Sequence, residues 1–313
     1  MDVDVENKAE LPPPLEQAAD MPLSWFFLVP VLAQEILPMW LTKWAGVTES
    51  MDSVWRGPEN RPVHSTAEGP IRTELRLKRV PANTTKAALR ACRQHNARLT
   101  GFVAVVTAKV LSRSLRRRGL AADRFLVPLP LDLRRCLPEM REVIANYPSV
   151  TTARISFLSG QGEQSSKGAP VSLCQAEWSI ASRITQQLAK AANSLVDQPI
   201  ALLKYISDMR RWTLEQAAKP AQASFEVSNL GAMEVPPGVE DGLDYAITDV
   251  VFSQSANACG PPFNLNVAGV KEGSMSLTFT WWRGMLAVDD EDVFMDEVAD
   301  GLVNAFEAVG AVG

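Results

Sequence analysis

The sequence has few of the residues on which metal sites and disulfide frameworks depend. Its 313 residues include only four cysteines and two histidines. The cysteines lie far apart without CxxC spacing, and neither histidine completes a zinc-like pattern with them. This pattern indicates neither a metal site nor a disulfide-stabilised secreted domain, and a reducing compartment follows as the default.

An excess of positive charge is also missing. The formal net charge is −5, so the chain has no global field that attracts a phosphate backbone, and we exclude nucleic acid as a partner. Four arginines between residues 113 and 118 do form a basic cluster. They end a predicted apolar helix, where cations complement the helix dipole; binding of an anion or a cofactor phosphate is the alternative.

The chain lacks an uninterrupted apolar run of about 20 residues, the length of a spanning helix. Its most apolar segment, residues 21–44, is interrupted by Pro30 and Pro38 and contains Gln34 and Glu35. We expect a buried or surface-lying helix there, with membrane-surface contact through its aromatic residues as the alternative. Residues 1–10 have no secretory signal pattern, so we expect a cytoplasmic protein, peripheral to endomembranes or lipid droplets if this segment binds them.

Hydrophobic periodicity predicts the secondary structure. Apolar residues make up 46% of the chain, which is enough for a large core. Alternation predicts strands over residues 71–80, 124–131, 149–157, 223–229, 246–252, 263–270 and 274–282, with a turn at Glu272-Gly273. Helical spacing predicts helices over 84–96, 100–115, 172–192, 199–217 and 291–309. This order favours an α+β fold with a mixed sheet flanked by helices.

The strand predicted before residue 230 ends in an unusual group of residues. The run from Ser224 to Gly231 alternates apolar and polar residues and closes with Ser228, Asn229, leucine and glycine. Side chains at a strand end can reach a ligand, which is the functional interpretation of Ser228 and Asn229. The simpler interpretation is that these residues only close the strand, with Gly231 supplying a turn conformation.

Four short motifs, read in order, carry a family resemblance. They are Leu-Asp-Leu-Arg-Arg at 131–135, Ala-Asn-Tyr-Pro-Ser at 145–149, Ser-Asn-Leu-Gly at 228–231 and Val-Phe-Ser-Gln-Ser at 251–255. In this order the chain resembles the fungal alcohol acetyltransferase family. That family shares a CoA-dependent acyltransferase fold with chloramphenicol acetyltransferase, the plant BAHD acyltransferases and peptide-synthetase condensation domains. The resemblance implies that this chain corresponds mainly to the second subdomain of that fold.

The resemblance also implies an activity. It is the transfer of an acetyl group from acetyl-CoA to the hydroxyl or amine of a small molecule in secondary metabolism, without a metal. In such enzymes two subdomains meet along a tunnel, and the base is the histidine of a His-x-x-x-Asp-Gly motif in the first subdomain. His64 has Glu68 and Gly69 at matching offsets, but it lies in a loop downstream of residues 12–16, which resemble the family's inter-subdomain connection. We interpret His64 as a loop residue, with a role as the catalytic base as the alternative, and His95 as a helix-end residue.

The chain is therefore expected to correspond to the second half of a two-half enzyme. Residues 1–70 would form the lead-in and the connection between subdomains, and residues 71–313 the subdomain itself. An incomplete gene model, a truncated product, and an enzyme completed by a second chain all fit this pattern. The alternative function is an inactive, truncated acyltransferase-like protein that acts as a binding partner.

The resemblance assigns roles to eight residues. Those expected at the substrate and CoA tunnel are Ser228, Asn229, Ser253, Gln254, Asn146 and Tyr147. Ser228 and Asn229 would donate hydrogen bonds toward a developing oxyanion. Asp132 and Arg134 are expected to be a structural pair. For Asn146 and Tyr147 a turn before a proline is the alternative, and for Ser253 and Gln254 a polar strand end.

Overall fold

The computed structural model describes residues 12–36, 51, 54–61, 72–120, 122–140, 143–157, 171–234 and 247–311. Its helices are Leu15–Ala18 (α1), Trp25–Ile36 (α2), Ala82–Gln94 (α3), Leu99–Arg117 (α4), Gln175–Ala192 (α5), Met209–Ala217 (α6) and Glu291–Ala311 (α7). Its strands are Thr73–Val80 (β1), Arg124–Asp132 (β2), Pro148–Ser156 (β3), Glu226–Met233 (β4), Phe263–Val270 (β5) and Met275–Trp282 (β6). The predicted α+β class is confirmed.

The chain divides into two compact units. The first contains Met1–Glu49, Leu131–Val150 and Ala189–Ser207, and the second contains Ser50–Pro130, Thr151–Leu188 and Asp208–Gly313. Three of the five boundaries fall within β2, β3 and α5. Each unit has a hydrophobic core of its own.

A four-stranded mixed sheet forms the centre of the second unit. Its strand order is β1-β6-β5-β4. Strand β6 is antiparallel to both β1 and β5, whereas β4 runs parallel to β5. The hairpin between β5 and β6 turns at Glu272, whose φ of 62° is left-handed, so the predicted turn is confirmed. β2 and β3 form a separate two-stranded sheet.

Helices cover one face of the four-stranded sheet. The central helix α4 is apolar on almost every side, as expected for a helix inside a core. Within that core Phe102 stacks on Trp178 and meets Phe306 edge-on, with ring centroids 5.3 and 5.2 Å apart. Gly101 lets α4 approach α5 closely, because a Cβ on it would lie 2.4 Å from the carbonyl oxygen of Ala181. Helix α7 packs on α3, α4 and β1.

The strand predicted over residues 246–252 is not formed by the described residues 247–252. Both edges of β6 are already occupied by β1 and β5, so this segment cannot join it as a further strand. Instead the Ser276 hydroxyl donates to the Val250 carbonyl, and the Thr278 hydroxyl donates to the Phe252 carbonyl, both at 2.6 Å. The segment therefore lies across a face of the sheet, held by side chains.

Helices α1 and α2 belong to the first unit. Leu15 and Met21 join its core, whose other buried members are Leu131, Leu133, Leu137, Tyr147 and Ala201. Both the backbone nitrogen and the hydroxyl of Ser24 donate to the Asp197 carboxylate, at 2.6 and 2.8 Å. The helix expected within residues 21–44 is present at Trp25–Ile36; residues 37–44 lie outside the described part.

The single helix predicted over residues 199–217 is wrong, because the segment is two helices. A 3-10 helix covers Pro199–Tyr205 and α6 begins at Met209. Asp208 separates them by capping α6, its carboxylate accepting from the backbone nitrogen of Arg211 at 2.9 Å. A capping aspartate starts a helix, so it competes with continuation of the preceding one.

Candidate functional site at the bulge of strand β4

A bulge interrupts β4 at the Ser-Asn-Leu-Gly motif. Ser228 and Asn229 pair with Asn266 and Val267 of β5, and the register then shifts before the pairing resumes at Ala232. Gly231 has a φ of 82°, and its backbone nitrogen donates to the side-chain oxygen of Asn229 at 2.8 Å. The motif therefore builds a bulge from an asparagine turn and a left-handed glycine, and β4 extends beyond the predicted end of its strand.

The amide of Asn229 also connects this bulge to helix α4. Its nitrogen donates to the hydroxyl of Thr100, in the first turn of α4, at 3.0 Å. Both ends of the Asn229 side chain are thus engaged with the protein itself. Asn229 fixes the position of the bulge relative to the helix.

Ser228 faces the opposite side of the sheet from Asn229, because consecutive strand residues alternate. It is buried, and it lies in one cross-strand row with Asn266 and Thr278. The two residues that were expected to act together therefore point to different faces. Ser228 lies on a polar face that also includes Asn264, Ser276 and Thr280, all buried.

Glu226 is a residue that the sequence analysis did not select. It lies two positions before Ser228 on the same face of β4 and pairs in register with Asn264. Burial raises the pKa of Glu226 from its ordinary value of 4.5 to about 7. The signal in the sequence was a glutamate placed between Phe225 and Val227 in a predicted strand.

Ser253 and Gln254 lie in the segment that crosses the polar face of the sheet. Both side chains are exposed. The next residue, Ser255, accepts a hydrogen bond at its carbonyl from the side chain of Asn264 at 3.2 Å. The position of the two residues is thus set by the backbone contacts of their neighbours.

The other four predicted residues belong to the first unit. Tyr147 is buried, and its hydroxyl donates to the carbonyl of Pro13 at 2.6 Å, whereas Asn146 is exposed. Arg134 and Asp132 form an ion pair at 2.7 Å. Burial opposes ionisation of Asp132, but hydrogen bonds from Arg134 outweigh it and hold the pKa of that carboxyl below its ordinary value. Tyr147, Asp132 and Arg134 thus hold the chain in place within this unit.

Only one of the two histidines lies among the described residues. His64 lies outside the described residues. His95 follows the last residue of α3 and stacks on Trp178 with ring centroids 4.3 Å apart. Within the described part of the chain, no group of histidine, cysteine and carboxylate side chains is arranged to hold a metal ion.

Comparison with known proteins identifies the family of this chain. The family model "Alcohol acetyltransferase" matches residues 1–307 of the 313. The chain belongs to the alcohol acetyltransferase family. The site at the bulge of β4 is therefore a feature of an acyltransferase-family protein.

Individual relatives are distant. The chain is 24% identical to a probable alcohol acetyltransferase, crmB, of Aspergillus fumigatus, over 73% of this chain and 48% of the relative. It is similar in structure to the trichothecene 15-O-acetyltransferase of Fusarium sporotrichioides, with a TM-score of 0.51, 12% identity, and coverage of 82% of this chain and 50% of that one. The X-domain from teicoplanin biosynthesis gives a TM-score of 0.50 at 12% identity, covering 91% and 58%.

These structural similarities establish the fold of this alcohol acetyltransferase-family chain, which is that of the condensation-domain and chloramphenicol acetyltransferase-like acyltransferases. The chain spans about half the length of the relatives it matches. Across the described residues, no helix is both long enough and apolar enough to cross a membrane.

Proposed function

We propose that this protein transfers an acetyl group from acetyl-CoA to the hydroxyl or amine of a small molecule in fungal secondary metabolism. The observation that carries the proposal is the family match along residues 1–307, which includes the bulge of β4 with buried Ser228. The named activities of the Aspergillus and Fusarium proteins, an alcohol acetyltransferase and a trichothecene acetyltransferase, support an oxygen acceptor and a metabolic role.

In this proposal Ser228 and the bulge have separate roles. The Ser228 hydroxyl donates to the thioester oxygen as negative charge develops on it, which lowers the barrier most when the donor is held in place beforehand. Asn229 and Gly231 hold that donor in place. Their hydrogen bond at 2.8 Å and the contact of Asn229 with Thr100 at 3.0 Å fix the backbone of the bulge next to Ser228.

The test is acceptor-dependent release of CoA thiol. The purified full chain is incubated with acetyl-CoA and a panel of alcohols and amines, and free thiol and acetylated product are measured. Ser228→Ala should lower turnover by about 10²–10³-fold, the usual cost of one lost oxyanion donor. Acetyl-CoA binding without thiol release would contradict the proposal and support a binding protein instead.

A pair of glycine variants supplies a matched control. Gly231 and Gly119 both have left-handed backbone, with φ of 82° and 76°, and a Cβ on either would meet open space. Alanine at either position should cost about 1–2 kcal/mol of stability through backbone strain alone. Only Gly231→Ala should lower turnover, on the order of tenfold to a hundredfold, because it shifts the backbone of the bulge that holds Ser228. An equal effect of both variants on turnover would contradict the role of the bulge.

We also propose that α2 places the cytoplasmic protein at a membrane surface. Trp25 and Phe26 on this helix are 75% and 95% exposed, as expected of side chains that enter a lipid interface. The double variant Trp25→Ala, Phe26→Ala should lose sedimentation with lipid vesicles. Leu214→Ala on α6, 64% exposed, is the control for loss of apolar surface. Unchanged sedimentation of the double variant would contradict this location.

A further inference from the structure

The polar face of the four-stranded sheet is arranged in cross-strand rows. Glu226, Asn264 and Thr280 form one row through β4, β5 and β6, and Ser228, Asn266 and Thr278 form the next. Residues paired across strands share a face, so all six side chains point the same way. Five of them are buried, and Glu226 is partly buried.

The segment 250–255, which lies across the polar face, accepts hydrogen bonds from three side chains of β5 and β6. Ser276, Thr278 and Asn264 donate to its carbonyls, at 2.6, 2.6 and 3.2 Å. On β4 the pattern is different. Burial is the one cause that shifts the pKa of the Glu226 carboxyl, and no hydrogen bond or charge from another described residue offsets it.

Two further oxygens on the same face are unsatisfied. The side-chain oxygen of Asn266 and the hydroxyl of Thr280 are buried and have no hydrogen-bond partner among the described residues. Folded proteins pair most of their buried polar groups, so unpaired ones gathered on one face mark a place where a polar group is bound. These oxygens and the two β4 side chains occupy adjacent rows.

Glu226 is suited to proton transfer. No cation accompanies it in the described structure, and burial alone holds its pKa at about 7. A carboxyl with such a value is ionised in part at neutral pH, which is the condition for an efficient general base. Ser228 lies two residues along the same face, about 7 Å away along the strand at ~3.3 Å per residue.

We propose that Glu226 accepts the proton of the acceptor's hydroxyl or amine during acyl transfer. This inference rests on the proposed function. The acceptor oxygen or nitrogen bonds to the thioester carbonyl carbon, while its proton passes to the Glu226 carboxylate. The carbon–sulfur bond then breaks, and Glu226 returns the proton to the sulfur. The products are the acetylated acceptor and CoA thiol, and the carboxylate is regenerated.

The experiment compares pH–rate profiles of Glu226→Gln and the wild-type full chain. Wild-type kcat/KM should rise with pH and level off above about 7, as the carboxylate forms. Glu226→Gln should lose about 10²–10⁴-fold in kcat/KM at pH 8 and show no inflection, the usual contribution of a general base. The KM for acetyl-CoA should not change, and Glu226→Asp should recover part of the rate together with an inflection. Glu272→Gln, an exposed turn carboxyl, makes the same chemical change as a control and should behave as wild type.

The outcomes separate the two proposals. Turnover of Glu226→Gln within about threefold of wild type at every pH overturns the role of Glu226 but leaves the proposed function standing. Absence of wild-type turnover with every acceptor removes the proposed function, and the role of Glu226 with it. Equal losses in the Glu226 and Glu272 variants also overturn the inference, because they would show a general effect of charge.

Discussion

The Glu226→Gln substitution should change how the stability of the protein depends on pH. Burial raises the pKa of this carboxyl from 4.5 to about 7 in the folded state. At about 1.4 kcal/mol per pKa unit, the ionised form costs the folded state about 3 kcal/mol. Glutamine has nearly the same shape and no charge, so it removes that cost.

The sign of the pH dependence of stability follows from which state, folded or unfolded, holds the proton on Glu226. Between pH 4.5 and about 7, the folded protein keeps a proton on Glu226 that the unfolded chain has released. The contribution of Glu226 to the free energy of unfolding therefore falls as the pH rises through this window and is constant above it. Glu226→Gln lacks this slope, so the variant should gain on wild type by up to about 3 kcal/mol at pH 8 and by nothing at pH 4.

Urea unfolding followed by tryptophan fluorescence measures this difference. Wild type and variant are unfolded at intervals from about pH 4 to pH 8, and the difference in unfolding free energy is plotted against pH. Taking the difference cancels the other titrating groups. Glu272→Gln, in an exposed turn, should give a flat plot near zero. A flat plot for Glu226→Gln as well would refute the reasoning, because it would mean that folding does not perturb this carboxyl.

Three other substitutions test the packing inside each unit, and the same unfolding measurement is used for all of them. Lys109→Met removes the partner of Glu177, an ion pair at 2.7 Å whose side chains are only 16% and 11% exposed, and should cost about 3 kcal/mol; a loss below about 1 kcal/mol would contradict burial of the pair. Gly101→Ala places a Cβ 2.4 Å from the Ala181 carbonyl and should cost about 2 kcal/mol, although alanine favours helices. A more stable variant would show that α4 and α5 do not approach so closely. Tyr147→Phe loses a hydrogen bond at 2.6 Å to a proline carbonyl and should cost about 1 kcal/mol; no change in unfolding would mean that water replaces the bond.

The sequence predicted the parts of the fold that depend on residues close together along the chain. Helix α4 and the β5–β6 hairpin follow from apolar periodicity and from a turn between two strand patterns. The order of four short motifs was enough to indicate the acyltransferase family, which the match over residues 1–307 confirms. Each of these signals lies within a few consecutive residues, or in their order along the chain.

The errors have a common physical origin. Residues 247–252 have a strand-like pattern, but the edges of β6 were already occupied by other strands. The segment at 199–217 has a helical pattern, but Asp208 caps a new helix within it. In both cases a contact or a capping bond outweighed local propensity.

The sequence by itself determined the family, the α+β class and the place of Ser228 and Asn229 on a strand, although that strand continues past them to Met233. Only the tertiary structure decided what each can do. A bulge and a bond to Thr100 commit the Asn229 amide to the protein, while Ser228 lies on the other face with Glu226. The raised pKa of Glu226 comes from burial, and burial depends on residues far away in sequence that pack around β4. No pattern of neighbouring residues reveals such an environment, because it exists only when the sheet is assembled.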